Sequence, residues 1–457
     1  MRLANIRLFS FNRTAAIVVA SLVISAAVRA QPIDLDVGFG ANGTVYAPVD
    51  APNSTNRDRT VAVFPIDFAD YLVVVESANA SGGVSPTFVR VTSAGVQSRN
   101  TVNLNMVGIT AACQDSATGR FVLGMRATST FGNVIDFRKY DALGVQDMAF
   151  GSAGTGRFAY GANRFERGAE LNCHNGRFAA GIWLGDTDGA WTGNRIVQGQ
   201  LAGTDFSFST INPPSDTLTI QTVGSGGTDD GEVIFANKLD EDNEPLSVEV
   251  LQYASTQLNT APTIATIAIG DHCALGSTST VEKAHVDNLG RVHVAGSSTI
   301  ASGPFFDGTK FNWLMQFNVT DTGTTGPIRC GTRTFATFSG ITPGTLNTVE
   351  AFEFSGQSIY LLTTFATGGL IPDRSTPRLL RFQDGTGGLV PDLSYLPSVI
   401  ADFGNTTPMH RGRQLLFDTR PSVSRLVIAG NREFQGLDED PFLVRMIAAP
   451  MFANGFE

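Results

Sequence analysis

Short apolar runs recur along the chain in pairs, and a polar turn separates the two members of each pair. The more apolar member begins at Tyr71, Phe121, Phe178, Glu232, Val292, Ile359 and Leu426. A turn rich in Gly, Asp, Asn or Ser precedes it, and another apolar run precedes the turn, as GITAAC from Gly108 precedes FVLGMRA. Two apolar runs around such a turn are typical of a β-hairpin. The pattern therefore predicts a hairpin that recurs seven times.

A third run with alternating apolar positions follows each hairpin. These runs begin at Thr87, Ile135, Asn194, Ser247, Trp313, Arg378 and Phe442. Six of the seven units then carry a weaker fourth segment, for example FSFSTI from Phe206 or TRTFATF from Thr332. Each unit thus reads as a four-stranded meander. Units of this size need neighbours to bury their apolar faces, so the repeat predicts sheets packed one against the next.

The seventh unit has no fourth run, and the N-terminal region offers one. DLDVGFGANGTVYAPVD from Asp34 matches VQDMAFGSAGTGRFAYG from Val145, which occupies the fourth-strand position of the second unit. We therefore expect Asp34 to Val49 to complete the last sheet and hide two sheet edges. The predicted fold is all-β, a seven-bladed β-propeller of four-stranded antiparallel blades, closed by the N-terminal strand. If Ser247 to Ser255 pairs differently, a closed ring of six or eight blades is the alternative.

Three segments resemble the bacterial delta-60 repeat family. They are NLGRVHVAGSS from Asn288, YDALGVQDMAFGSAG from Tyr140 and LDVGFGANGTV from Leu35. The pattern of that family is a DG turn, an apolar strand ending in AGSS, a further strand, Asp-x-x-Gly and an FGxxG corner. The resemblance is loose over the chain and close over about a quarter of it. It implies a propeller-like repeat in exported proteins, and it implies no catalytic residues.

Composition agrees with an all-β chain and excludes several classes of protein. Apolar residues make up 42% and charged residues 16%, and there are 49 glycines among 457 residues. The apolar content is high enough to form a core, which excludes disorder, and the scarcity of Lys and Glu argues against a helical bundle. The formal net charge of −10 disfavours binding to a nucleic acid.

The first thirty residues have the features of an export signal. Arg2, Arg7 and Arg13 precede an apolar stretch from Ala15 to Ala27, and small residues precede a cleavage point after Ala30. We expect a signal peptide over 1–30, one propeller domain over 31–450 and a short tail over 451–457. No later run is long enough to span a bilayer, so the mature protein is expected to be secreted or periplasmic, and monomeric.

Four cysteines lie in the exported part of the chain. An oxidising compartment favours two disulfides, and the spacing favours Cys113 with Cys173 and Cys273 with Cys330. Each bridge would close a loop of about sixty residues and stabilise the fold by about 4 kcal/mol in the chain-entropy model. Buried free thiols are the alternative.

The connections between the second and third strands are long and unequal, and such loops on a rigid repeat commonly carry binding sites. We expect them to form an acidic face with exposed aromatic side chains. The candidate ligand-binding residues are Trp183, Asp186, Asp188, Trp191, Asp240, Asp242, Phe305, Phe306, Asp307, Asp438 and Asp440. This set favours a binding module for a polar ligand, a glycan or a protein. The alternatives are a hydrolase or lyase that acts on a polysaccharide through loop carboxylates, and a structural scaffold.

Three shorter motifs indicate little chemistry. Asp186 to Gly189 opens like a calcium loop but lacks the later oxygen donors and the closing Glu, so no cofactor is expected beyond a weak calcium contact. Gly38, Gly40 and Gly43 spell GxGxxG, but a strand follows them instead of a helix, which indicates corner glycines. His285 and His293 flank a turn, and a four-residue connection would point their rings to opposite faces of the sheet, which argues against a shared metal.

Overall fold

A computed structural model gives the structure of the protein. It describes residues 34–49, 57–67, 70–79, 81–115, 118–129, 132–159, 165–174, 176–185, 191–201, 209–211, 218–225, 232–239, 245–253, 263–267, 278–286, 291–299, 310–320, 323–334, 347–355, 357–367, 374–385, 388–392, 408–420, 424–434 and 438–447. The regular secondary structure of these residues is entirely β, in agreement with the predicted fold class.

Two short strands, β1 (Asp34–Leu35) and β2 (Thr44–Tyr46), precede six four-stranded antiparallel sheets, each a meander in chain order. The first sheet has β3 (Asp58–Asp67), β4 (Asp70–Ala78), β5 (Val84–Thr92) and β6 (Gly95–Thr101). The second has β7 (Gly108–Gln114), β8 (Phe121–Ser129), β9 (Gly132–Tyr140) and β10 (Gly156–Phe158). The third has β11 (Phe165–His174), β12 (Arg177–Gly185), β13 (Trp191–Gln200) and β14 (Ser209–Ile211).

The remaining four-stranded sheets follow the same order. The fourth has β15 (Leu218–Ser225), β16 (Glu232–Leu239), β17 (Pro245–Tyr253) and β18 (Thr263–Ile267). The fifth has β19 (Thr278–Val286), β20 (Arg291–Thr299), β21 (Lys310–Thr320) and β22 (Gly323–Thr334). The sixth has β23 (Asn347–Ser355), β24 (Ser358–Thr367), β25 (Arg374–Gly385) and β26 (Gly388–Pro391). The fourth strand of the fifth sheet thus starts at Gly323, nine residues earlier than the predicted Thr332.

The last sheet joins the two ends of the described chain. It contains β27 (Pro408–Asp418), β28 (Arg425–Phe434) and β29 (Asp438–Ile447), and both β1 and β2 pair with β29. Leu35 lies opposite Met446, and Val45 lies opposite Leu443. The prediction that Asp34 to Val49 joins this sheet is confirmed. The segment supplies two short strands instead of one because a corner turn interrupts it, so the sheet has five strands.

The N-terminal corner turn is held by Asp36. Its Oδ1 accepts a hydrogen bond from the Gly38 N–H at 3.2 Å, and its Oδ2 accepts one from Arg445 Nε in β29 at 2.9 Å. The guanidinium of Arg445 lies 4.3 Å from the ring centroid of Phe39, which is fully buried. The carboxylate, the cation and the aromatic ring therefore fix the corner to the last sheet.

The second sheet contains the same arrangement at the segment that matches in sequence. Asp147 accepts a hydrogen bond from the Ala149 N–H at 3.0 Å and forms an ion pair with Lys139 Nζ at 2.9 Å. Lys139 lies 5.2 Å from the centroid of the buried Phe150 ring. Asp147 and Phe150 correspond to Asp36 and Phe39, so the sequence repeat encodes a repeated contact.

The glycines of the GxGxxG segment serve the N-terminal corner. Gly40 has φ +55° and Gly43 has φ +87°, a region that L side chains rarely adopt. A Cβ atom at Gly40 would lie 2.3 Å from the Thr44 carbonyl oxygen. The interpretation of these residues as corner glycines is confirmed.

Aromatic and aliphatic side chains fill the spaces between neighbouring sheets. The ring centroids of Phe64 in the first sheet and Phe121 in the second lie 5.1 Å apart, and those of Phe137 and Phe178 join the second sheet to the third at the same distance. The first strand of each sheet contacts the first strand of the next. Sheets packed face to face in this way, with their first strands innermost, are the blades of a β-propeller.

The first and last sheets also contact each other. Tyr71 of β4 is buried between them and donates a hydrogen bond to Asp418 Oδ2 at 2.9 Å. The Val63 N–H donates to Gln414 Oε1 at 2.6 Å. Phe39 and Val427 belong to the apolar cluster at this contact.

Every first strand carries a β-bulge at an equivalent position. The pairing between the first and second strands shifts by one residue at Val61, Thr110, Gly168, Gln221, Glu282, Glu350 and Arg413. A bulge leaves one residue out of the ladder and increases the local twist. Because the first strands are neighbours, these residues form a set on the inner side of the sheets.

A disulfide links Cys113 of β7 to Cys173 of β11, which confirms the first predicted bridge. It joins the first strands of the second and third sheets. Cys330 is also disulfide-bonded, but Cys273 lies outside the described residues, so the second pairing stays a prediction.

Candidate functional site

The connections between second and third strands and the connections between sheets emerge at the same end of the strands, because successive strands are antiparallel. We call this end the loop face. In the first sheet, Asn79 holds the loop between β4 and β5: its Oδ1 accepts hydrogen bonds from the Ser81 and Gly83 N–H groups at 3.1 and 3.0 Å. Its Nδ2 donates to the Leu104 carbonyl at 3.1 Å, which ties this loop to the connection that leads to the second sheet.

Four of the eleven predicted binding residues lie within strands. Trp183 is in β12, Trp191 is in β13 opposite Gly185, and Asp438 begins β29 opposite Phe434. Asp440 is also in β29, and it is a buried residue with 8% exposure, so the expectation of an exposed loop acid is wrong for it. The ladder between the second and third strands continues farther than the apolar pattern indicated. The other seven lie outside the described residues: Asp186, Asp188, Asp240, Asp242, Phe305, Phe306 and Asp307.

Three arginines gather on the inner strands towards the loop face. Arg59 lies near the start of β3, Arg411 is the fourth residue of β27, and Arg413 is at the middle of β27. We call these residues the axial arginine cluster. Arg59 and Arg411 are equivalent, since each precedes the bulge of its strand by two residues. Sequence reasoning missed the cluster, although the strand starts carry the similar patterns Arg-Asp-Arg from Arg57 and Arg-Gly-Arg from Arg411.

Two members of the cluster are neutralised by carboxylates. Arg59 Nε and Nη2 donate to the two oxygens of Glu76 at 3.2 and 3.0 Å, and Nη2 also donates to the Ile109 carbonyl. Arg411 Nε donates to Glu350 Oε1 at 3.3 Å. Glu76 and Glu350 are therefore bound to arginine, and the side chains of Arg59 and Arg411 remain 35% and 48% exposed.

Arg413 is the third member, and it is the bulge residue of β27. Its Nε is buried and has no hydrogen-bond partner in the part of the chain that the structure describes. Burial lowers the pKa of its guanidinium; the positive charge of Arg411 lowers this pKa further, and Arg59 adds a smaller effect in the same direction. The negative charges of Glu350 and Glu439 oppose the shift. Arginines and carboxylates thus lie side by side at this edge, and the acidic face expected from the loops stays a prediction, because most of its residues lie outside the described ones.

One carboxyl group with a strongly shifted pKa lies away from this edge. Glu353 of β23 is opposite Tyr360, which packs with Leu415 and Leu426 between the sixth and last sheets. Burial raises the pKa of Glu353 to about 8, and a backbone hydrogen bond from Phe354 opposes the shift. Its position between two sheets makes Glu353 part of the packing, not of the loop face.

The two histidines of the fifth sheet are directly paired. His285 lies opposite His293, and Val286 lies opposite Val292, so five residues connect the strands instead of the expected four. A slip of one residue reverses the facing of a side chain, and the expectation that the rings point to opposite faces is wrong. Both rings contact Phe354 of the next sheet, at 5.2 Å for His285 and 4.5 Å for His293. The described residues contain no group of three or more side chains suited to hold a metal.

Within the described ranges no helix is long and apolar enough to cross a bilayer. No protein-family model matches the chain, and no curated protein matches it either.

Several solved structures match the fold at low identity. The NanB sialidase of Streptococcus pneumoniae is 7% identical over 90% of this chain and 71% of its own, with a TM-score of 0.43. A subtype N10 neuraminidase-like protein of A/little yellow-shouldered bat/Guatemala is 11% identical over 90% of this chain and 98% of its own, with a TM-score of 0.43. The hydrazine synthase of Kuenenia stuttgartiensis is 8% identical over 70% and 78%, with a TM-score of 0.39. These similarities assign no ligand or activity to this chain.

Proposed function

We propose that the protein is an exported β-propeller of seven blades in a closed ring, and that it is a binding module whose loop face engages a polar ligand, a glycan or a protein. In this proposal the five-stranded sheet is the seventh blade, and residues 1–30 are a leader that is removed. The kinship with the delta-60 repeat family belongs to the same proposal.

Closure is supported by a hydrogen bond that recurs between sheets. The Ile109 N–H of the second sheet donates to Glu76 of the first. The Thr60 N–H of the first sheet donates to Asn431 Oδ1 of the last at 3.1 Å. Glu76 and Asn431 occupy equivalent positions in their second strands, and Ile109 and Thr60 each immediately precede a bulge. The junction of the last sheet with the first is therefore built like the junction of the first with the second.

Export is supported by the disulfide between Cys113 and Cys173, because such bonds persist in oxidising compartments. N-terminal sequencing of the protein recovered from the periplasm or the medium tests the leader. A mature chain that starts at Gln31 is the expected result, and a chain that still starts at Met1 contradicts it.

The observation that carries the binding function is the axial arginine cluster. Charged side chains collect at one end of the inner strands, whereas the spaces between the sheets are filled by apolar side chains. A rigid frame that presents charged groups beside unequal loops is suited to recognition. Catalysis is the weaker alternative, because Glu76 and Glu350, two of the described carboxylates at this edge, are held by arginines, and an acid–base pair needs a carboxylate free to exchange a proton.

A glycan array tests the proposal on the protein that lacks residues 1–30. Hydrogen exchange with and without a retained glycan then locates the contact. We expect slower exchange at residues 79–83 and 102–107 on the loop face, and unchanged exchange at residues 141–146 on the opposite face. Protection confined to 141–146, or cleavage of the retained glycan seen by mass spectrometry, contradicts a binding module that works through the loop face.

A further inference from the structure

Arg413 differs from the other charged groups of the inner strands. It is the bulge residue of β27, so its backbone leaves the regular ladder at the middle of this inner strand. Bulges next to functional sites commonly serve to aim one side chain. The equivalent bulge residue in the sixth sheet, Glu350, uses its carboxylate to bind Arg411.

The carboxylates whose charges act on Arg413 are those of Glu350 and Glu439. Glu350 is engaged by Arg411, and Glu76, in the same cluster, is engaged by Nε and Nη2 of Arg59. No ion pair joins a described carboxylate to Arg413, and its buried Nε lacks a partner there. By contrast, Arg157 and Arg420 each form a close ion pair with an aspartate.

Such an arrangement costs stability. A charge removed from water without a partner is strongly unfavourable, and buried polar groups in proteins are nearly always hydrogen-bonded. Arg411 and Arg59 add repulsion, as the lowered pKa of Arg413 indicates. A charged side chain whose buried nitrogen lacks a hydrogen-bond partner in the described chain is a candidate for contact with a ligand.

We propose that the axial arginine cluster is an oxyanion site, in which Arg413 binds a carboxylate, phosphate or sulfate group of the ligand while Arg59 and Arg411 add attraction. The planar guanidinium presents paired donors that match such oxygens. This inference rests on the proposed function, which assigns ligand binding to the loop face, and it adds the chemical class of the ligand.

The test is calorimetric titration with sodium glucuronate, phosphate and sulfate at constant ionic strength, with glucose as the uncharged counterpart of glucuronate. The variants are Arg413→Gln and, as a matched control, Arg120→Gln, which removes one exposed arginine from the turn between β7 and β8 on the opposite face. We expect the wild type and R120Q to bind at least one of the three oxyanions and not glucose. R413Q is expected to bind at least about tenfold more weakly, because the neutral amide loses the charge-assisted hydrogen bonds of the guanidinium.

Two further variants keep the proposal falsifiable if R413Q fails to fold. Arg413→Lys keeps the charge but loses the fork of donors, so weaker binding is expected. Glu350→Gln releases Arg411 from its carboxylate, so tighter binding is expected. A wild type that binds none of the three oxyanions overturns the proposal, as does equal binding by the wild type, R413Q and R413K. If no oxyanion binds but the glycan array finds a ligand on the loop face, only this inference fails and the proposed function stands.

Discussion

Glu353 offers a sharp test of the packing between the sixth and last sheets. Burial raises the pKa of its carboxyl group from 4.5 to about 8. In the folded protein the group therefore keeps its proton up to about pH 8, whereas the unfolded chain releases the proton above pH 4.5. Stability that depends on the protonated group is fully present below pH 4.5 and is lost as the pH rises towards 8.

The size of the effect follows from the shift. Each pH unit between the two pKa values costs about 1.4 kcal/mol, so this group lowers the free energy of unfolding by about 3 kcal/mol between pH 4 and pH 7. Glu353→Gln keeps the size of the side chain and cannot ionise. The free energy of unfolding of E353Q minus that of the wild type should therefore rise by about 3 kcal/mol over the same range.

Urea unfolding at a series of pH values measures this difference. Asp67→Asn is the matched control, because the Asp67 side chain is 59% exposed and its removal should leave the pH dependence of the wild type unchanged. A difference between E353Q and the wild type that stays constant from pH 4 to pH 8 would refute the assignment of a buried, protonated carboxyl group.

Three other predictions concern the closure and the links between sheets. Deletion of residues 34–49 removes the buried Phe39 and Val45 from the last sheet, and it should lower the free energy of unfolding by at least about 5 kcal/mol; an unchanged thermal midpoint contradicts ring closure. Asp36→Asn removes the carboxylate that contacts Arg425 and Arg445 of the last sheet at 3.0 and 2.9 Å, and it should cost about 3 kcal/mol in denaturant unfolding, against under about 1 kcal/mol for the exposed Asp67→Asn. The double replacement of Cys113 and Cys173 by serine should cost about 4 kcal/mol, and a loss below about 1 kcal/mol would show that the bridge adds little.

The second strands could be predicted because each is a short continuous apolar run, and residues of both faces are buried, as Leu72, Val73 and Val74 are in β4. All seven of the most apolar runs are second strands in the structure, from YLVVVES in β4 to LVIAGNR in β28. The pairing of the N-terminal segment with the last sheet was predictable for another reason. The Asp and Phe of its corner make the same contacts as Asp147 and Phe150, and those contacts constrain the sequence.

The details of register and facing could not be predicted. His285 and His293 face each other because the connection between them is one residue longer than the turn motif suggests. Asp440 is buried because the ladder of the last sheet continues past the polar residues that looked like a loop. The position of Arg413 could not be predicted because a bulge interrupts the alternation of β27. An alternating pattern alone does not show which residue leaves the ladder.

The last sheet combines strands from opposite ends of the polypeptide, and this constrains when it can form. Asp36 and Arg445, which are 409 positions apart, make direct contact there. The ribosome must therefore finish almost the whole chain before the N-terminal strands find their partner. Until then the apolar residues beside Phe39 stay uncovered, so the two ends of the nascent chain wait for each other while exposed to premature association.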